Sequence, residues 1–235
     1  MSQPLVSILV PAYGEEATIG EVVRRALDLQ GLNVEVIVID DGSADGTAQA
    51  ARAAADGDGR VRVLAHDRNR GKGAAVRTGI ADSRGDIVVI QDADMEYDPR
   101  DLPKVLQPLL DEVADVVYGT RLRGGEPQRA HMFWHYVGNR FLSLLTNVLF
   151  NTTISDMEVG FKAFRGDLVR SFRLVSNDFT FEPEVTAKVL RTPGVRLYEI
   201  PIPYYGRGYD EGKKITWHDG FKAVWALLRF RFARV

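Results

Sequence analysis

The first half of the chain alternates short apolar, β-branched segments with segments of helical periodicity. The apolar segments cover residues 5–10, 34–39, 61–64, 87–90 and 116–117, and the amphipathic segments cover 19–29, 47–55, 73–81 and 102–110. This alternation predicts an α/β fold, Rossmann-like, with a mostly parallel sheet that carries helices on both faces. Ligands bind such sheets beyond the carboxyl ends of the strands, so the polar residues that follow each strand are the candidates for function.

The second half of the chain has a different pattern. An apolar segment at 131–150 is followed by a predicted strand at 160–164, a helix at 182–190, a strand at 195–200 and a basic, aromatic-rich tail. No repeat or low-complexity linker interrupts it. We therefore predict one domain over residues 1–212 and a basic amphipathic C-terminal helix over residues 213–235.

Composition excludes several classes of protein. The formal net charge of -2 argues against a general nucleic-acid binder, which usually has a basic bias. The absence of cysteine removes disulfides, thiolate metal sites and cysteine nucleophiles. The chain has no signal-peptide pattern and no run of the ~18 apolar residues that a spanning helix needs. We expect a cytoplasmic protein, with the cytosolic face of a membrane as its alternative location.

Polar residues follow the first two predicted strands. The first strand leads into Pro11, Tyr13 and Glu15, and the second ends at Asp40 and Asp41. Two adjacent carboxylates beside a glycine turn can accept hydrogen bonds from a nucleoside base or ribose. The alternative is that these residues only shape the turn before the next helix.

The fourth predicted strand is followed by an acidic segment. Asp92 and Asp94 stand two positions apart, with Ala93 between them and Glu96 beyond. Side chains at such spacing on an extended segment point the same way, and no basic residue separates them. Hard oxygen ligands of this kind select Mg²⁺ or Mn²⁺, which often bridge protein carboxylates to substrate phosphates. The alternative is a solvated acidic loop.

A glycine-rich stretch at residues 69–73 precedes the third predicted helix. It can offer backbone N–H groups and the Lys72 ammonium to a phosphate. It does not match the P-loop pattern. The alternative is a glycine-rich helix start without a ligand.

Six motifs together resemble family 2 glycosyltransferases of the GT-A fold. In chain order they are VPAYGEE, VIVIDDGSADGT, NRGKGAAVRTGI, GDIVVIQDADMEYDP, VVYGTR and GNRF. Within that family the chain looks most like the dolichol-phosphate mannose synthase and polyprenyl-phosphate hexosyltransferase branch. The resemblance extends in order and spacing from about Leu5 to Arg165.

The resemblance implies roles for individual residues. The motifs of the first and second strands would hold the nucleotide of a nucleotide-sugar donor, with further contacts from Ala93 and Lys72. Asp92, Asp94 and Glu96 would hold the metal, and Asp92 would also contact the nucleotide. The nucleotide-binding set from the first two strands is Pro11, Tyr13, Glu15, Asp40 and Asp41.

Three further residues would act on the reacting groups. Arg121 and Arg207 match the arginines that approach the donor diphosphate, where they would stabilise the departing charge. Asp156 lies in the loop that the resemblance places near the acceptor. With Asp94, these form our predicted catalytic set.

The implied reaction is an inverting transfer of a hexose from a donor of the GDP-mannose or UDP-glucose type to a polyprenyl or dolichyl phosphate. A lipid monophosphate, whose second pKa is ~6, is largely ionised at neutral pH and needs no strong base. The alternative is a soluble biosynthetic glycosyltransferase with a small-molecule or peptidyl hydroxyl acceptor. For that acceptor, Asp156 is the candidate base.

The tail from residue 213 onward is basic and apolar. Such a helix can lie in the interface of an anionic membrane, which predicts a peripheral membrane contact. The alternative is a helix that packs on the core with a solvated basic face. The basic residues are Lys213, Lys214, Lys222, Arg229, Arg231 and Arg234, against the single acid Asp219.

Overall fold

The computed structural model describes residues 3–129, 132–207 and 217–233. Its strands are β1 (Leu5–Ala12), β2 (Asn33–Asp40), β3 (Val61–Ala65), β4 (Ile87–Ile90), β5 (Val116–Thr120), β6 (Lys162–Arg165) and β7 (Leu197–Pro201). Its helices are α1 (Ile19–Leu27), α2 (Thr47–Ala55), α3 (Lys72–Asp82), α4 (Leu102–Leu110), α5 (Phe133–Phe150), α6 (Gly166–Ser171), α7 (Phe181–Arg191) and α8 (Trp217–Phe232). A short 3-10 turn, Pro99–Asp101, precedes α4.

Within the described residues, all strands join one seven-stranded sheet in the order β3-β2-β1-β4-β6-β5-β7. The pairs β1–β2, β2–β3, β1–β4 and β5–β7 are parallel, which confirms the predicted α/β class. β6 runs antiparallel to both β4 and β5. Because of this reversal, the residues that precede β6 lie at the same edge as the residues that follow β1 and β4.

The order of the first four strands places a switch point between β1 and β4. The chain moves from β1 to β2 to β3 in one direction and then returns to pair β4 with β1. Right-handed crossovers then put α1 and α2 on one face of the sheet and α3 on the other. A ligand-binding crevice is expected outside the carboxyl ends of β1 and β4.

The central strands are buried along almost their whole length. In β1 every residue from Val6 onward is buried, and all of β4 is buried. This explains their continuous apolar sequence, since each face of a parallel strand is covered by a helix layer. α1 contributes a matching apolar face through Ile19, Val22, Val23 and Ala26.

α8 packs against α5 and α7 through a small cluster. Ala226 and Phe230 of α8 are buried against Ala187 of α7, with Phe150 of α5 beside them. The Arg191 guanidinium donates to the carbonyl oxygen of Phe230 at 2.8 Å. One side of α8 therefore packs on the core, as the core alternative requires. The rest of the predicted tail, and the predicted division after residue 212, lie outside the described residues.

The outer sides of α5 and α8 keep large apolar side chains exposed. Trp134 on α5 is 77% exposed and Phe232 on α8 is 74% exposed. Phe141, Val148 and Trp225 are also exposed. Across 3–129, 132–207 and 217–233, no helix is both long and apolar enough to cross a bilayer.

Candidate functional site

The site lies at the edge formed by the carboxyl ends of β1, β2 and β4. Pro11 is buried inside β1, in register with Ile39 of β2. Tyr13, directly after β1, is 43% exposed at this edge. Of these two predicted residues, Pro11 is therefore buried in the strand and Tyr13 has a solvent-accessible ring.

Asp40 and Asp41 have different surroundings although both are buried. Oδ1 of Asp40 accepts a hydrogen bond from the amide of Ser43 at 3.2 Å. Both oxygens of Asp41 are engaged within the protein, by Nδ1 of His66 at 2.6 Å and by the amides of Arg70 and Gly71 at 3.0 and 2.7 Å. Asp41 thus holds the 69–71 loop in place, and its nucleotide contact stays a prediction.

The glycine-rich stretch before α3 is organised by internal contacts. The amides of Arg70 and Gly71 donate to Asp41, which contradicts the prediction that they are available to a phosphate. Gly71 has a φ of 95°, and a Cβ on it would overlap the carbonyl oxygen of Asn177. This close approach requires glycine, so the glycine has a structural reason.

The Lys72 ammonium is the part of that stretch that reaches the site. Its Nζ lies 2.8 Å from Oδ1 of Asp92 and 3.2 Å from Oε1 of Glu182. Burial alone would lower the pKa of Lys72, but the charges of Asp92 and Glu182 raise it above its usual range. Lys72 is therefore a permanent cation beside the acidic segment.

The acidic segment is a turn and not an extended continuation of the strand. β4 ends at Ile90, and residues 93–97 form a turn in which Met95 has a φ of 61°. The prediction that Asp92 and Asp94 share one side of an extended segment is therefore wrong. The turn instead lets the amide of Glu96 donate to Oδ1 of Asp94 at 3.0 Å.

The charge of this turn favours a cation. Burial, followed by the charges of Asp92 and Glu96, raises the pKa of Asp94 to about 7. Within the described residues, no three His, Asp or Glu side chains converge into a ready metal site. The donor set still fits Mg²⁺ or Mn²⁺, since it consists of hard carboxylate oxygens whose mutual repulsion an ion would relieve.

Glu96 is the most occupied of the three predicted ligands. Its Oε2 accepts from the hydroxyl of Tyr204 at 2.9 Å, and its Oε1 accepts from the amide of Arg207 at 2.6 Å. Glu96 therefore fastens the 204–207 segment to the acidic turn. Asp92 and Asp94 remain the better candidates for an ion.

Arg121 and Asp156 form a buried pair beside these residues. Asp156 is fully buried and accepts from the amide, Nε and Nη2 of Arg121 at 3.0, 2.7 and 2.7 Å. Asn139 of α5 donates to the same carboxylate at 3.0 Å. Burial would raise the pKa of Asp156, but Arg121 overcomes that effect and lowers it. The Arg121 guanidinium also lies 5.1 Å from the centre of the Tyr204 ring.

Arg207 reaches the loop after β1. Its Nη1 lies 3.1 Å from Oε2 of Glu15. Together with its backbone contact to Glu96, this places three predicted residues from distant parts of the sequence at one edge.

Three buried charged residues of the site were missed by the sequence reasoning. Glu182 lies in the first turn of α7, Lys162 begins β6 and Glu199 lies in β7. Glu199 accepts from the amide and hydroxyl of Ser155 at 2.8 and 2.9 Å and from the amide of Asp156 at 3.2 Å, so it holds the loop that carries Asp156. The available signal was a lysine inside an apolar strand segment, because such a charge needs a buried partner.

The comparisons with known proteins identify the family of the chain. The sequence model described as Glycosyl transferase family 2 matches residues 7–172. A Methanocaldococcus jannaschii protein without an assigned function is 29% identical over 95% of this chain and 90% of its own length. The undecaprenyl-phosphate 4-deoxy-4-formamido-L-arabinose transferase of Pseudomonas aeruginosa is 30% identical over 89% of this chain but only 60% of its own length.

A solved structure shares the fold. Glucosyl-3-phosphoglycerate synthase from Mycobacterium tuberculosis, crystallised with Mn²⁺, uridine diphosphate and phosphoglyceric acid, superimposes with a TM-score of 0.76. It is 24% identical, and the match covers 99% of this chain and 80% of that one. Since the family match covers well over half of the sequence, the chain belongs to glycosyltransferase family 2, and its sheet is that of the GT-A fold.

Proposed function

We propose that this glycosyltransferase moves a hexose, with inversion, from a nucleotide sugar to a polyprenyl phosphate. The donor is of the GDP-mannose or UDP-glucose type. The name of the Pseudomonas relative supports the acceptor class, and the uridine diphosphate in the mycobacterial structure supports the donor class. The acceptor phosphate oxygen attacks the anomeric carbon, and the nucleoside diphosphate departs with the electron pair of the broken bond.

The observation that carries the proposal is the state of Asp156. Its carboxylate accepts three hydrogen bonds from Arg121 and one from Asn139, and its pKa is lowered. A carboxylate held in this way is a poor proton acceptor, because protonation would break the pair with Arg121. An acceptor that is already ionised, such as a phosphate monoester, does not need one.

The donor side would be stabilised by positive charge. Lys72 and Arg207 lie beside the acidic turn, and Arg121 lies next to Tyr204. Asp94 and Asp92 would hold Mg²⁺ or Mn²⁺, with Glu96 as a third ligand. When bound, the ion would neutralise part of the diphosphate charge, and the cationic side chains would orient the leaving group.

The acceptor class also fits the surface of the two outer helices. On α8 the exposed rings of Trp225 and Phe232 lie beside Arg229 and Arg231, and α5 exposes further aromatic residues. A surface with this composition binds the interface of an anionic membrane. This composition supports our proposal that the enzyme acts at the cytosolic face of a membrane, as a peripheral protein that meets its lipid acceptor there.

The test is a transfer screen. UDP- and GDP-hexoses are incubated with the enzyme, with and without undecaprenyl phosphate, and with Mg²⁺, Mn²⁺ or chelator. We expect glycosyl lipid only when a nucleotide sugar, the lipid phosphate and a divalent ion are all present. Transfer that is indifferent to chelator, or absent with every polyprenyl phosphate, would refute the proposal.

One observation favours a second candidate, transfer to a hydroxyl acceptor. Oε1 of Glu158 is buried without a hydrogen-bond partner, and burial, followed by the charge of Glu182, raises the pKa of Glu158 to about 7. A group with this pKa is suited to remove a proton from a hydroxyl at neutral pH. Phosphoglyceric acid, which is bound in the mycobacterial structure and carries a hydroxyl, belongs in the same screen. Glu158→Gln should abolish transfer to it and leave transfer to a lipid phosphate intact.

A further inference from the structure

A series of buried charges connects two parts of the site. Lys162 is fully buried, Glu182 is 2% exposed, and the side chain of Lys72 is 16% exposed. Buried charges are costly unless each is paired, and removal of one partner leaves the other uncompensated. The positions of these side chains are therefore mutually dependent.

Glu182 joins the donor side through one oxygen. Its Oε1 lies 3.2 Å from Nζ of Lys72, which in turn lies 2.8 Å from Oδ1 of Asp92. Lys72 begins α3 and Asp92 follows β4. This half of the series therefore connects the start of α3 to the start of the acidic segment.

Glu182 joins the acceptor side through its other oxygen. Oε2 pairs with Nζ of Lys162, and the same ammonium donates to the carbonyl oxygens of Met157 at 3.0 Å and Val159 at 2.5 Å. These carbonyls flank Glu158 in the loop that Asp156 begins. The ammonium therefore fixes the conformation of the loop.

The two ends of the series, the 156–160 loop and Asp92, are in contact at Gly160. A Cβ at Gly160 would overlap Oδ2 of Asp92, so the loop backbone lies directly against the acidic turn. Asp92 is thus contacted on one side by Lys72 and on the other by the loop that Lys162 holds.

We propose that Glu182 is a positioning residue that couples nucleotide binding at Asp92 to the conformation of the 156–160 loop. It rests on the proposed function in that a nucleotide sugar binds beside Asp92. The diphosphate draws Lys72 toward itself and away from Glu182. This changes how strongly the Glu182 carboxylate pairs with Lys162. Lys162 then adjusts its hold on the two loop carbonyls, so that the acceptor side is set only when the donor is present.

The experiment is amide hydrogen exchange on the full chain, alone and with uridine diphosphate or guanosine diphosphate plus Mn²⁺. In the wild type, we expect the nucleotide to slow exchange in residues 155–162. In Glu182→Gln, one of the two terminal atoms becomes an NH₂ donor, so the side chain cannot accept from an ammonium group on each side. We expect exchange of residues 155–162 in the free protein to become about tenfold faster or more. Nucleotide should still bind, but it should no longer protect that loop.

Glu35→Gln is the matched control. Glu35 is a buried carboxylate that pairs with Arg62 at 2.8 Å and accepts a hydrogen bond from the hydroxyl of Ser7. It lies near the start of β2, at the opposite end of the strand from the candidate site. It should lose stability and keep the nucleotide-dependent protection of 155–162. If Glu182→Gln does not fold, Lys72→Met removes only the donor half, and it should likewise uncouple the loop from nucleotide.

The outcomes separate the two ideas. If neither nucleotide binds the wild type, the proposed function fails, while the free-protein exchange of Glu182→Gln still tests whether Glu182 holds the loop. Unchanged exchange of 155–162 in the free variant, or undiminished protection by bound nucleotide, would overturn the coupling role.

Discussion

Nη1 of Arg207 lies 3.1 Å from Oε2 of Glu15, although 192 positions separate the two residues in the sequence. The amide of Arg207 donates at 2.6 Å to Glu96 in the acidic turn. One residue therefore ties the loop after β1 to the turn after β4. This contact places a guanidinium at the switch point, where the donor diphosphate is expected.

Arg207→Gln should lower kcat/KM for the nucleotide sugar by about 100-fold, since a positioned cation at a developing charge contributes on that order. Steady-state kinetics with varied donor provide the measurement. Arg100→Gln is the control, because Arg100 is an exposed arginine paired with Asp98 on the protein surface. Equal kcat/KM values for wild type and Arg207→Gln would show that Arg207 does not act on the donor.

Asp94→Asn should abolish the binding of a divalent ion while it preserves the fold. The reason is that burial, followed by the charges of Asp92 and Glu96, raises the pKa of Asp94, and an ion would stabilise its ionised form. The measurement is the rise in melting temperature on addition of Mn²⁺ and nucleoside diphosphate, together with transfer activity. Asp111→Asn, at an exposed position after α4, should behave as wild type. A wild-type melting response in Asp94→Asn would disprove the metal assignment.

Asp115→Asn should reduce the free energy of unfolding at pH 7 by about 1.5–3 kcal/mol, the range for hydrogen bonds to charged groups. Hydrogen bonds from Arg196 hold the pKa of Asp115 well below its usual range, with distances of 3.0 Å from both Nε and Nη2. A depressed folded-state pKa means that the stabilisation is present above the unfolded-state pKa of about 4 and declines below it.

Urea unfolding of wild type and Asp115→Asn, at pH 7 and at successively lower pH, provides the measurement. The difference between the two proteins should shrink as the pH falls below about 4. A difference that stays constant across this range would mean that the carboxylate charge does not contribute.

Trp134→Ser combined with Phe232→Ser should weaken binding to anionic vesicles without loss of stability, because both side chains are largely exposed. In the wild type, binding should weaken but not vanish as salt rises, since basic residues contribute roughly 1 kcal/mol each and apolar insertion resists salt. Vesicle sedimentation at several salt concentrations measures both effects. Val113→Ser, an exposed apolar position after α4, is the control. No vesicle binding by the wild type at low salt would favour the soluble alternative.

The sequence predicts much of this site because parallel strands deliver their following residues to one edge. Asp40 and Asp92 were identified for that reason, and the structure places both at the carboxyl ends of their strands. The same rule cannot find residues that precede an antiparallel strand. The loop before β6 was therefore identified only through the family resemblance, and the reversal of β6 explains why it reaches the site.

The buried ion pairs were beyond the sequence for a different reason. Glu182 and Lys72 are more than a hundred positions apart, and no local motif around either residue predicts that it pairs with the other. The hydrogen-bond partners of Asp41 could not be predicted either. The same sequence is compatible with a turn carboxylate that binds its own loop and with one that binds a ligand. Only packing decides between these uses.

The missing side chain at Gly160 lets the 156–160 loop lie directly against Asp92. Only a hydrogen atom fits at this position, because a Cβ would overlap Oδ2 of Asp92. A methyl group there would force the loop and the acidic turn apart. If the proposed roles of these two segments hold, a substitution at Gly160 would alter the acceptor side while every side chain proposed to hold the nucleotide stays in place.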